Sequence, residues 1–386
     1  MLPRERVETT LRYEEPDLVP WGEHSIDYNI YETALGRETW VHAKFREQKG
    51  LWDGKRDEIV ACYKRDIPDL TDALGFDIIT VGQNPPAGYH PEPLEQVDHE
   101  TFRSGKHLYR ISATTGQLMP YKIDTEGYEP PTAEQIREQI AHLEANPPQK
   151  PEDSCWEVMR HVVGERKGTH WINCCVGGMG FPVTGPTDEI RYMNMALHPE
   201  LLGPQAELDA KYCMSTLEWY AEEGADSVMP CADLGSSTGL FGNPRILEEH
   251  VEHWWKTYID KAHSLGLKVI KHCCGNIWEA LPAMCRAGFD GYEGIQASGS
   301  MDMRRLKEDY GGRIVLWGGI WHEHLILGTP EQIEEDAQYS IGWGAPGGGF
   351  ILGSSHSLAV GCKPENLMRM KDCRLKYGHY PIQRTV

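Results

Sequence analysis

The stretch LKVIKHCCGN, residues 267–276, sets a histidine and two cysteines at the end of an apolar run, just before a glycine. On an extended backbone, residues two apart point the same way, so His272 and Cys274 converge on one point while Cys273 faces the other side. An imidazole nitrogen and a thiolate suit zinc, and a third side chain with one open position would complete a catalytic site. The plain alternative is packing, since lone cysteines are often buried core residues.

A third ligand has to come from another strand end. Cys362, in SSHSLAVGCKPEN, is the first candidate, and His356, earlier in the same loop, is the second. Glu293, in GFDGYEGI, offers a labile carboxylate for the metal; a salt bridge or solvent is its other use. His322-Glu323-His324 forms a competing cluster, although such a triplet in a loop is more often solvated than ligating. Asp233, in CADLGSS, and Glu23 with His24, after LVPWG, stand at other strand ends where they can orient a substrate; helix capping and loop hydrogen bonds are the alternative. Trp317, in RIVLWGGI, is a further candidate substrate contact.

The elements that would position these residues follow one repeated pattern. In GFDIITVG (75–82), GADSVMP (224–230) and GFDGYEGI (288–295), a helical segment runs into a glycine, then an aspartate, then a short strand. Glycine takes the left-handed conformation that ends a helix, so each is an α-to-β junction. In NPRILEEHVEHWWKTYIDKAHSLG, Asn243 caps, Pro244 suits the first turn, and Leu247, Val251, Trp254, Tyr258 and Ala262 form an apolar stripe. Thr329-Pro330-Glu331-Gln332 reads as a capping box. Strand, loop, helix and strand repeated in this way predict parallel strands with helices outside them, best satisfied by an eight-stranded (β/α)8 TIM barrel. An open doubly wound sheet fits less well, because no GxGxxG turn follows a strand. Such barrels carry their working residues at the carboxyl ends of the strands, where His272 and Cys274 fall.

The whole chain, 1–386, is expected to form one such domain with an N-terminal extension, and the proline-rich, charged segment at about 90–165 is read as an insertion against the barrel mouth. The formal charge of −20, from 38 basic and 58 acidic residues, argues against nucleic acid or anionic membrane as a partner. No apolar run approaches the ~20 residues that span a bilayer. Eleven cysteines without a secretion signal point to free thiols or metal thiolates and to the cytoplasm.

The opening RERVETTLRYEEPDLVP, the stretch HCCGNIWEALPAMCRAGFDGYEGIQ, the strand RIVLWGGI and the ending GGGFILGSSHSLAVGCKPENL resemble the uroporphyrinogen decarboxylase superfamily, whose members are (β/α)8 barrels. The decarboxylases of that superfamily hold their polyacid substrate with an N-terminal arginine motif; the corresponding VPWGEHSIDYNIYE has no arginine, which disfavours that activity. The resemblance extends to the cobamide-dependent methyltransferase branch, whose members bind zinc through His-x-Cys and a later cysteine. It places His272 and Cys274 as the pair and leaves Cys362 or His356 as the third ligand. It implies a zinc enzyme of the O-demethylase type, which moves a methyl group from a methoxylated, usually aromatic, compound to the Co(I) corrinoid of a partner protein, with His356 as a proton donor to the leaving oxygen. Transfer from a methyl-corrinoid to a thiol or folate, and a metal-free decarboxylase, are the alternatives. A homodimer is compatible with each reading.

Overall fold

The computed structural model describes residues 1–382. Its centre is a sheet of seven parallel strands in the order Ile78–Thr80, Trp171–Val176, Ser227–Pro230, Lys268–His272, Gly291–Ile295, Val315–Ile320 and Phe350–Ser354. Residues 19–23 close the curl. Leu352 N donates to Pro20 O at 2.9 Å and Gly22 N to Leu352 O at 3.3 Å on one side, while Asp77 N donates to Trp21 O at 2.8 Å on the other. This short segment is the eighth stave of the TIM barrel. Gly22 is required there because a Cβ would lie 2.7 Å from Ile78 Cβ.

The glycine-aspartate pattern has a mechanical use. Gly75, Gly224 and Gly288 all take positive φ, ending their helices. Two residues on, each aspartate then pins the start of a neighbouring strand. Asp77 Oδ2 accepts from Trp21 N at 2.9 Å, Asp226 Oδ2 from Ile172 N at 2.9 Å, and Asp290 Oδ2 from Val269 N at 2.8 Å. With strand starts fixed in register, the side chains at the opposite ends meet at defined heights.

Alternation then divides the core in two. Ile78, Met229, Ile270, Trp317 and Ile351 fill the barrel lumen, while a larger cluster packs the strands' outer faces against the helices. Trp317, expected at the substrate, is instead part of this lumen floor: it is fully buried, and its Nε1 donates to Gly22 O at 2.9 Å.

The helix before the His272 strand differs from the expected single stripe. Asn243 Oδ1 accepts from Arg245 N at 3.0 Å, as a cap does, but the chain makes a wide π turn at Leu247–Val251 before the helix Glu252–Ser264. The wider turn rotates that helix about its axis, so Trp255 is buried and Trp254 is pushed to the half-exposed side. Within 90–165, four short antiparallel strands (Glu95–Gln96, Thr101–Ser104, His107–Ile111, Leu118–Lys122) pack through Phe102 on Phe45, ring centroids 5.0 Å apart. The helix Glu157–Arg166, by contrast, is part of the barrel's outer layer: it buries Val158, Met159 and Val162, and Arg56 and Lys64 of the helix Arg56–Leu74 pair with Glu157. Among the described residues, no helix is long and apolar enough to cross a membrane.

Candidate functional site

His272 ends its strand inside the lumen, and Cys274 comes two residues later on the same side. Their Nε2 and Sγ atoms are 3.6 Å apart. Cys273 turns outward, fully buried, and its Sγ accepts from Leu234 N at 3.1 Å. Gly275 must be glycine: its φ is +85°, and a Cβ would lie 2.5 Å from Gly235 O. This tight crossing locks the turn after Cys274 against the loop that carries Asp233. As a result Asp233 Oδ1 accepts from Cys274 N at 2.8 Å and lies 3.8 Å from His272 Nε2.

Glu293, on the next strand, is fully buried and bridges two imidazoles. Its Oε1 meets His24 Nδ1 at 3.0 Å, and its Oε2 is hydrogen-bonded to His272 Nδ1. The two rings lie 4.3 Å apart between centroids. Burial pushes this carboxyl upward, but His24 and His272 outweigh it and hold Glu293 well below the usual carboxylate range. A carboxylate accepts at both Nδ1 atoms, so each ring carries a proton there, and His272 Nε2 is the atom turned toward Cys274 and Asp233. Glu293 thus orients His272 and, with His24, is also one of the carboxylate and imidazole donors the sequence pointed to.

Two groups of donor atoms lie within 4.8 Å of one another among the described residues: Asp233, His272 and Cys274, and His24, His272 and Glu293. The first fits zinc. It offers one nitrogen, one sulfur and one oxygen from two strand ends, with the exposed Asp233 side leaving room for a fourth partner. Its electrostatics also suit a cation: burial, then the charges of Asp233 and Glu293, push the Cys274 thiol far above its ordinary value, a cost that a divalent ion removes.

The other expected residues are placed differently. Cys362 is buried 4.0 Å from His322 Nδ1, outside both groups, because the chain turns into the helix Pro364–Tyr377 right after it. His356 stands at the rim with its ring 5.2 Å from that of His322. Although His356 is exposed at the rim, desolvation by the surrounding mouth, with His322, His24 and His272 disfavouring its charge, holds its pKa down to about 4. The His322-Glu323-His324 cluster is split: His324 stacks on Trp321 and binds Asp336 Oδ2 at 2.9 Å, while His322 faces Cys362. Glu23 is buried beneath the mouth, accepting from Trp21 Nε1 at 3.1 Å and from Ser354 Oγ at 2.6 Å, so it braces a strand end where a substrate contact was expected. Burial raises its pKa to about 7. His24 Nε2 reaches Ser357 Oγ at 3.1 Å.

Three further residues were not singled out from the sequence. Lys271 is fully buried on the outward face and donates to the carbonyls of Pro230 (3.2 Å), Ala232 (2.5 Å) and His272 (2.8 Å), tying the Asp233 loop to the His272 strand. A lysine inside an apolar strand run is the signal that marks it. Cys175 and Cys231 end adjacent strands and face each other near His24. Cys175 Sγ donates to His24 O at 3.6 Å and Cys231 Sγ to Met229 O at 3.2 Å. Counting by twos from the strand starts would have put both in the lumen.

Residues 114–377 match the family described as Uroporphyrinogen decarboxylase (URO-D), well over half of the 386 residues. The chain belongs to the uroporphyrinogen decarboxylase family. The matched segment starts after residues 19–23 and Ile78–Thr80, so the barrel described above extends beyond it. Among solved structures, a methyltransferase from Methanosarcina mazei aligns over 98% of this chain and 99% of its own, with a TM-score of 0.64 and 15% identity, and shares the fold. A chitinase from Chromobacterium violaceum aligns over 59% of this chain and 85% of its own, with a TM-score of 0.37 and 8% identity, an overlap too loose to bear on this protein. No curated protein matches the sequence.

Proposed function

We propose that this member of the uroporphyrinogen decarboxylase family is a zinc-dependent methyltransferase that moves a methyl group from a methoxylated aromatic compound to the Co(I) corrinoid of a partner protein. The observation that carries the reading is the mixed donor set of His272, Cys274 and Asp233, with His272 oriented by a buried carboxylate, at the open end of the barrel. The fold shared with a protein named as a methyltransferase supports the reaction class. The exposed carboxylate of Asp233 at the mouth and the lack of an arginine in VPWGEHSIDYNIYE oppose the polyacid substrate of a decarboxylase.

In the transfer, the carbon–oxygen bond breaks as the electron pair of Co(I) forms the carbon–cobalt bond, and the carbon–oxygen pair leaves on oxygen, which takes its proton from water. Zinc, when bound, supplies Lewis acidity for that developing charge. Asp233 and Cys274 hold their relative positions through the Cys274 N–H bond, so the donor set needs little rearrangement. Glu293 keeps the proton of His272 on Nδ1, away from the open side. His356, with its pKa near 4, is neutral at pH 7 and offers the leaving oxygen an N–H hydrogen bond in place of full protonation.

The test is direct. The purified chain is expected to contain zinc by elemental analysis and, mixed with its reduced corrinoid partner and a methoxylated aromatic, to consume the Co(I) absorbance. Zinc-free protein that still transfers methyl would overturn the metal; methyl transfer in the opposite direction only, to a thiol or folate, would overturn the donor.

A further inference from the structure

A cavity of about 830 Å³ lies on the outer side of the strand that carries Cys175, walled by Val176–Gly178 and by the helices Leu202–Ser215 and Leu217–Glu222. Four rings line it: Tyr212, Trp219, Tyr220 and Tyr258. Only one charged side chain, Asp209, does so among the described residues. Asp209 is largely desolvated, and the hydrogen bond it accepts is from Gln205 Nε2 at 2.8 Å; among the described residues no lysine, arginine or histidine pairs with it. Burial raises its pKa to about 6, so at neutral pH it is an ionised group in a place that disfavours ionisation. A desolvated, unpaired carboxylate lining a cavity is a candidate binding group, and a positive partner would relieve its desolvation.

The walls say what kind of partner fits. Ring faces are electron-rich, and a cation set among three of them is attracted without any hydrogen bond. Anions meet Asp209 and are repelled. A hard metal ion would need several oxygen ligands, and one carboxylate among rings does not supply them. The volume suits a small organic molecule. Tyr212 is 57% exposed, which makes it a poor core residue but a suitable outer wall.

We propose that this cavity binds a small organic cation, a quaternary or protonated nitrogen, seated among Tyr212, Trp219 and Tyr220 with its charge against Asp209. The site is separate from the metal centre and does not depend on the methyl-transfer reading. Choline serves as the probe and, as its control, the uncharged isostere in which a tert-butyl group replaces trimethylammonium. Titrated into the full chain and followed by calorimetry and Trp219 fluorescence, choline should bind saturably and at least about tenfold more tightly than the isostere. Asp209→Asn should weaken choline by at least about tenfold and leave the isostere unchanged. That variant removes a desolvated charge and should fold at least as stably as the parent; Trp219→Leu gives a second reading if it does not. Equal binding of choline and isostere, no saturable choline binding, or an Asp209→Asn protein that binds choline like the parent would each overturn the proposal.

Discussion

The two sides of the barrel mouth hold similar donors and arrange them by different means. On one side His272 and Cys274 leave the end of a regular strand, and each is fixed by a carboxylate: Glu293 on the imidazole, Asp233 on the Cys274 N–H. On the other, His322 begins the short helix His322–Leu327, Cys362 comes just before Pro364–Tyr377, and His356 lies in the loop between. There Cys362 Sγ lies 4.0 Å from His322 Nδ1, and burial pushes the Cys362 thiol up to about 12. Strand ends bring donors to one point because the register is set far away, at the aspartate-pinned starts. Loops leading into helices set donors by the needs of the helix, and the side chains fall where packing leaves them.

Removing one thiol from each side gives the largest contrast. Cys274→Ala should lose bound zinc outright, and Cys362→Ala should keep it at the parental stoichiometry, by elemental analysis of protein never exposed to chelator. Retention by the first and loss by the second would move the centre across the mouth.

Glu23 lies beneath both sides, hydrogen-bonded to Ser354 at the root of the His356 loop and close enough to Glu293 to feel its charge. Its folded pKa of about 7 stands above the ordinary 4.5, so the folded state holds the proton more tightly. The associated stability is complete below pH 4.5 and is lost as the pH rises through about 7. A shift of this size corresponds to about 3 kcal/mol. Chemical denaturation from pH 4.5 to 8 should therefore show Glu23→Gln gaining on the parent as pH rises. A parent and variant with parallel profiles would mean that the carboxyl ionises freely and that the two sides do not share a buried floor.

Glu293→Gln probes the orienting carboxylate. The amide has one accepting oxygen, and its NH2 only donates, so it cannot accept at both Nδ1 atoms; His272 should turn more freely and zinc affinity should fall by about 10- to 100-fold, read by chelator competition. Unchanged affinity would show that the strand alone aims the ring.

The same difference between strands and loops explains which features were legible in the sequence. The glycine-aspartate junctions are local chemistry and gave the parallel barrel, and the two-residue alternation of a strand, equally local, gave the split of Cys273 from its neighbours. Glu293 was read as a labile metal ligand; its further part, orienting two imidazoles, depends on His24, 269 residues away in the chain. Asp233 was found as a substrate group and lies instead among the donors, because the Gly235–Gly275 crossing that brings it to Cys274 is a tertiary contact with no sequence period. Trp317 looked like a pocket residue since a strand end holds both lumen and mouth positions, and only the register with Gly22 puts it on the floor. The π turn at Leu247–Val251 broke a helical stripe that periodicity alone extended unbroken.

His356 offers the smallest and most discriminating effect. It was a candidate ligand and proton donor, and it stands at the rim beside His322, outside both donor groups. If the centre is His272, Cys274 and Asp233, then His356→Ala should leave zinc affinity within about twofold, the range of a surface substitution. On the proposed function the turnover rate should still fall, because the N–H assigned to the leaving oxygen is gone, and the fall should be greatest for donors whose alkoxide leaves poorly. A loss of zinc in this variant would instead make His356 a ligand, and the two sides of the mouth would have to close on one metal, drawing the rim loop inward by a movement that the 5.2 Å ring contact with His322 opposes.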